Sequence, residues 1–156
     1  MRGFHTIAAS ALALVATPAL AEAHDEAAGP EAAVTAFMTA FDAQDAEAMR
    51  AHIIEGTSVT VIEEREGEDR VRAVPLDGLV ATIAASQNDL AEPIWNLRSV
   101  EDGPVATVLA DYEFLVDGER SHCGTNILNL VRVEGVWKIA GIAYSHREEG
   151  CEGAPQ

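Results

Sequence analysis

The sequence predicts one α+β domain in which helices from the first half cover an antiparallel sheet built mainly from the second. Three observations predict it. From Val105 to Ser145 the chain reads as three strand-length runs rich in β-branched and aromatic residues, separated by Asp117-Gly118 and Glu134-Gly135, the pattern of a three-stranded meander. Ahead of it, Val34, Phe37, Met38 and Phe41 recur at i, i+3, i+4 and i+7, an amphipathic helical stripe. The chain of 156 residues has length for one core, with no internal repeat and no linker that would divide it.

Residues 1–21 carry Arg2, an apolar run from Ile7 to Ala16, and then Thr17-Pro18-Ala19-Leu20-Ala21. A basic start, a short apolar core and small residues are the plan of a secretory signal peptide, with cleavage expected before Glu22. The run is short for a membrane span, so an N-terminal anchor is the weaker alternative. A periplasmic or secreted protein with no membrane insertion is expected. Residues 22–29 are small and acidic, a mobile leader; residues 30–147 form the domain and 148–156 a C-terminal tail.

Pro30-Glu31 opens the first helix, because proline is tolerated at the first helical position and an acidic residue suits the dipole there. Asp45 caps a second, short helix over 46–53, with Ala48, Met49 and Ile53 turned inward. A strand over 57–64, a charged turn at Glu66-Gly67-Glu68-Asp69 and a return strand over 70–74 make a hairpin whose tip is a solvated turn. Pro75 stops that strand, and Asp77 or Gly78 starts a third helix bearing Leu79, Val80, Ile83 and Ala84. Residues 87–93 read as loop. Ile94 to Val100 is a strand that leads through Asp102-Gly103-Pro104 into the meander.

Two-residue turns at Asp117-Gly118 and Glu134-Gly135 set a register. Glu113 then opposes His122, Asp111 opposes Gly124 and Leu109 opposes Asn126; in the second hairpin Arg132 opposes Trp137, Leu128 opposes Gly141 and Gly124 opposes Ser145. One face carries Leu109, Asp111, Glu113, His122, Asn126, Leu128, Trp137 and Ser145. It is apolar at one end, polar at the other, and opened by Gly124, Gly141 and Ala143, the profile of a pocket wall. The other face carries Val108, Tyr112, Ile127, Ile142, Tyr144 and His146. It is evenly apolar, which leads to the expectation of a homodimer through this sheet face. A single bulge would exchange the two faces.

The 26 acidic residues outnumber the 10 basic ones, for a net charge of −16, or −17 once Arg2 leaves with the signal peptide. That balance argues against nucleic acid or an anionic membrane as partner. Simple solubility explains it as well. Cys123 and Cys151 both remain in the exported part, where disulfides persist. They form a candidate disulfide that requires the tail to fold back across Glu148-Glu149-Gly150. No Cys/His spacing of a metal site and no glycine-rich phosphate loop occurs, so no metal and no cofactor is expected.

The order of elements, with the strings Asp111-Tyr112-Glu113-Phe114, Ser121-His122-Cys123-Gly124 and Gly135-Val136-Trp137-Lys138-Ile139, resembles the nuclear transport factor 2-like superfamily over residues 30–147. Closest is its lumazine-binding and polyketide-cyclase-like branch. The resemblance implies a cystatin-like, cone-shaped fold: a strongly bent antiparallel sheet wrapped by about three helices. Its open cavity would take a small apolar or amphipathic molecule. Some members of the superfamily are isomerases, dehydratases or hydrolases, and many have no demonstrated activity.

Within such a cone, Asp111, Glu113 and His122, with Asn126 beside them, are the candidate catalytic group. A carboxylate next to an imidazole orients the ring, and burial moves a carboxylate toward neutral titration, as acid–base chemistry requires. The alternative for Glu113 and His122 is an exposed cross-strand ion pair. Trp95, Leu109, Asn126, Leu128, Trp137 and Ser145 are candidate ligand contacts, with core packing the alternative for Trp137. Ser121 and His122, adjacent in a strand, are expected on opposite faces and so form no nucleophile–base pair; His122 and His146 are expected apart as well. The expected function is small-molecule binding, with general acid–base catalysis and a dimeric interaction subunit as alternatives.

Overall fold

The computed structural model describes residues 28–65 and 67–151. The expected signal peptide and its cleavage point lie outside them. Three helices, α1 (Pro30–Asp42), α2 (Ala46–Ala51) and α3 (Leu76–Ala84), cover one face of a curled seven-stranded sheet. Its strands are β1 (Ser58–Glu63), β2 (Arg70–Pro75), β3 (Leu90–Ala91), β4 (Ile94–Asp102), β5 (Val105–Val116), β6 (Glu119–Val133) and β7 (Val136–His146). The order is β2-β1-β7-β6-β5-β3, with β4 also paired to β5.

Local chemistry accounts for the helices. α1 begins at Pro30 and buries Val34, Phe37, Met38 and Phe41, the stripe read from the sequence. The Asp45 carboxylate accepts the N–H groups of Glu47 and Ala48, each at 3.0 Å, and so caps α2. That helix ends at Ala51, short of the expected Ile53, which instead bridges to Ile139 of β7. α3 begins at Leu76, directly after Pro75, and buries Leu76, Val80 and Ile83.

The sheet departs from the expected all-antiparallel one, because β1 runs parallel to β7, Val59 lying opposite Ile142; its other pairings are antiparallel. β3 arises within residues read as loop. Both meander turns form where expected. Val116 pairs with Glu119 and Val133 with Val136, and all four central residues have positive φ, from 52° to 85°, the I′ geometry that suits a right-handed sheet twist.

Beyond the turns, two bulges correct the register. β5 and β6 slip by one residue between Phe114 and Leu115, so His122 faces Phe114 instead of Glu113, and Asn126 faces Ala110 instead of Leu109. β6 and β7 slip between Asn129 and Leu130, so Leu128 faces Ile142 and Asn126 faces Tyr144. β6 and the start of β7 keep the expected faces, with Asn126, Leu128, Leu130, Trp137 and Ile139 buried. β5 turns over: Val108, Ala110 and Tyr112 are at most 1 % exposed, and Leu109, Asp111 and Glu113 point outward. The far half of β7 turns over too, carrying Ile142 and Tyr144 inward and Ser145 outward.

The slip also redistributes the apolar residues on which the dimer expectation rested. Val108 is fully buried, Ile142 and Tyr144 pack against the core, and only Ile127, 39 % exposed, stays outside. The core itself lies between the helices and the sheet, from Phe37 and Met49 to Leu128, Leu130 and Trp137.

Candidate active site

The cavity under the curled sheet is organised around Glu92, which follows β3. Leu90 and Ala91 pair with Val116 and Leu115, the Glu92 N–H donates to Asp42 Oδ1 at the end of α1 at 2.8 Å, and the Pro93 carbonyl accepts the Glu113 N–H at 3.3 Å. This short segment is thereby pinned to both the sheet and α1. Its one charged side chain turns inward, where Asn126 Nδ2 donates to Glu92 Oε1 at 2.7 Å.

Around the Glu92–Asn126 pair lies an apolar pocket walled by Phe37, Phe41, Leu76, Ile83, Leu128 and Tyr144. It encloses about 430 Å³ of open space including its mouth, of which about 40 Å³ admits the centre of a water molecule. It is narrow, and a ligand larger than a few water molecules must move side chains to enter.

Electrostatics single out Glu92. The residue is half-buried overall and its carboxyl is the enclosed part. Burial raises its titration to about 7, against a partial offset from the Asn126 hydrogen bond and a further upward push from Asp42. Tyr144 on the opposite wall is held above the ordinary phenol range, first by burial and then by Glu92. Tyr112 is raised for the same reasons, and its hydroxyl donates to the Ser145 carbonyl at 2.9 Å. That contact crosses Gly124. A Cβ there would overlap the Ser145 carbonyl oxygen and come within 2.8 Å of Tyr112 Cε1, so only glycine allows it.

The expected catalytic group is not brought together. Asp111 and Glu113 lie on the outer face, where Asp111 accepts from Asn96 at 3.0 Å and Thr125 at 3.3 Å, and Glu113 pairs with Arg120 at 2.7 Å. His122 lies inside, stacked on His146 with ring centroids 3.9 Å apart and on Phe114 at 4.8 Å. The expected separation of the two histidines is therefore corrected by the bulges. Burial, with the neighbouring His146 second, lowers the His122 titration to about 4. Ser121 sits in the bulge, which brings its Oγ to 3.2 Å from His122 Nδ1, contrary to the opposite-face expectation.

Of the expected ligand contacts, Asn126 and Leu128 line the pocket. Trp137 is core, 3 % exposed, with the Arg132 guanidinium over its ring. Trp95 and Leu109 are on the outer face, and Ser145 is engaged by the Thr125 N–H at 3.1 Å. Cys123 and Cys151 form the expected disulfide, with Cα atoms 5.7 Å apart and Cys123 lying opposite Arg147. Among the described residues, no group of three or more His, Cys, Asp or Glu is placed to hold a metal ion, and no helix is long and apolar enough to cross a membrane.

No protein-family model matches the chain, and no curated protein matches its sequence. Solved structures do match in shape. A candidate dehydratase of the nuclear transport factor 2-like family from Streptomyces avermitilis superposes with a TM-score of 0.59 at 17 % identity, over 74 % of this chain and 91 % of that one. A candidate scytalone dehydratase from Novosphingobium aromaticivorans gives 0.59 at 13 % identity, over 74 % and 80 %. A nuclear transport factor 2-like protein with a cystatin-like fold from the same organism gives 0.57 at 15 %, over 79 % and 80 %. At these identities the likeness concerns the fold, and with the curled sheet and its covering helices it leads to one conclusion: this chain has the cystatin-like fold of the nuclear transport factor 2-like proteins.

Proposed function

We propose that the cone binds a small, mainly apolar molecule and that Glu92 exchanges a proton with it, as in an isomerisation or dehydration. The observation that carries this is the Glu92 carboxyl: held by Asn126 at 2.7 Å, enclosed by apolar walls, and titrating near 7. A group balanced between its two protonation states near neutral pH can accept a proton from carbon and return it to oxygen or carbon. The Asn126 hydrogen bond occupies Oε1 and leaves Oε2 for the ligand. The dehydratase descriptions attached to some structural neighbours agree in reaction type.

The signal-peptide pattern of residues 1–21 and the Cys123–Cys151 disulfide support placement outside the cytoplasm. Recovery of the protein from the cell envelope with Glu22 at its N-terminus is the expected result; a cytoplasmic protein starting at Met1 would contradict it.

Proton exchange is tested by incubating the protein with a panel of small apolar ketones in heavy water and following deuterium uptake beside the carbonyl by mass spectrometry. Glu92→Gln is expected to slow uptake by about 10²- to 10⁴-fold, the span typical of a general base. Equal rates in the two proteins would leave a pure binding pocket, in which Glu92 only orients a ligand.

A further inference from the structure

Three departures from a regular sheet converge on its outer face, away from the cone. β4 is bulged between Trp95 and Arg98, and Asn96 within the bulge takes a left-handed backbone with φ of 51°. The β5–β6 ladder slips next to Arg120, and the disulfide pins Cys151 over Cys123. Strain of this kind and bulges both collect where a side chain must be re-aimed. Between the three lies a polar cleft of about 180 Å³, bordered by Trp95, Asp111, Glu113, Arg120, Arg147 and the disulfide. That is well beyond the roughly 10–15 Å³ a single water needs.

Its charges are unevenly satisfied. Glu113 is taken by Arg120, which also donates to the Cys151 carbonyl at 3.3 Å. Asp111 is held only by neutral donors, Asn96 Nδ2 at 3.0 Å and Thr125 Oγ1 at 3.3 Å; among the described residues no basic side chain pairs with it. Among the described residues Arg147 forms an ion pair with Glu64 alone, at 3.7 Å, and its side chain stays 38 % exposed. The cleft thus offers a carboxylate without a cation, a loosely held guanidinium and an indole.

We propose that this outer cleft binds a small zwitterion, its ammonium at Asp111 beside Trp95 and its carboxylate at Arg147. An ammonium gains a charge-assisted hydrogen bond from Asp111 and attraction to the indole. A carboxylate matches the fork of a guanidinium. A plain amine leaves the loosely held Arg147 without a second counter-charge, and a plain anion meets Asp111, whose charge no cation offsets, so each half alone is disfavoured. The site shares no residue with the Glu92 pocket and does not depend on the chemistry proposed there.

Nuclear magnetic resonance titration of the full exported chain tests it, following the Trp95 indole N–H with glycine, L-alanine and β-alanine as zwitterions and with ethylamine and propionate as the separate halves. Saturable shifts are expected with at least one zwitterion, at least tenfold weaker with either half, and lost in Asp111→Asn and Arg147→Gln. Trp95→Leu, with unchanged circular dichroism and with the backbone N–H groups of Gly124 and Thr125 followed instead of the indole, removes binding if Asp111→Asn proves too unstable to assay. Glu92→Gln leaves the titration as it was. No saturable shift with any of the three zwitterions overturns the proposal, as does a response to propionate equal to that for the zwitterions and indifferent to Asp111→Asn.

Discussion

Replacing Glu92 by Gln converts the enclosed carboxyl into a neutral group of the same shape that still accepts the Asn126 hydrogen bond. The folded carboxyl titrates near 7 and the unfolded one near 4.5, so the folded state holds the proton more tightly. The contribution of Glu92 to stability is therefore complete below about 4.5 and is lost as pH rises through about 7. At about 1.4 kcal/mol per pH unit, the wild type loses about 3 kcal/mol over that window relative to the variant. Urea unfolding of both proteins from pH 4 to 8, with the disulfide intact, measures the difference at each pH. Taking the difference cancels the titrating groups that do not interact with Glu92. The variant should gain on the wild type throughout the window and stop gaining above it. Parallel stability curves would refute the placement of this carboxyl in an apolar enclosure.

The remaining predictions concern the bulged sheet. His122 titrates below its ordinary 6.5, so the stability it contributes is present above that value and is lost as pH falls toward about 4; His122→Phe should flatten the acid limb of the urea midpoint in that window. Gly124→Ala forces its Cβ into the Ser145 carbonyl and the Tyr112 ring, and should cost at least about 1–3 kcal/mol in the same assay, the ordinary cost of overpacking. Leu128→Ala should cost about 2–5 kcal/mol and its neighbour Ile127→Ala under about 1 kcal/mol, because the first is 2 % and the second 39 % exposed; similar losses would contradict the face assignment.

Those predictions draw on what the sequence encodes openly and on what it hides. The stripe of α1, the Asp45 cap and the two Xaa-Gly turns rest on local chemistry, and a local pattern is readable without the rest of the chain. The bulges at Phe114/Leu115 and Asn129/Leu130 are different, because counting outward from a turn carries no signal that a residue has been inserted. Val108, Ala110, Tyr112 and Phe114 alternate strictly with Leu109, Asp111, Glu113 and Leu115, and placing the two carboxylates on the solvent side would have favoured the observed face. Glu92 was hidden for another reason. Its partner Asn126 is 34 positions away, and only its place as a single acidic residue between Leu90-Ala91 and Pro93-Ile94-Trp95 hinted at burial.

The most direct measurement is of the Glu92 carboxyl itself, by carbon-detected nuclear magnetic resonance with the resonance assigned through Glu92→Gln. A midpoint near 7 is expected, falling toward ordinary carboxylate values in Leu128→Asn, which admits polarity beside the Glu92–Asn126 pair. A midpoint near 4.5 in the native protein would contradict a proton-exchanging Glu92 and leave the cone as a binding pocket alone.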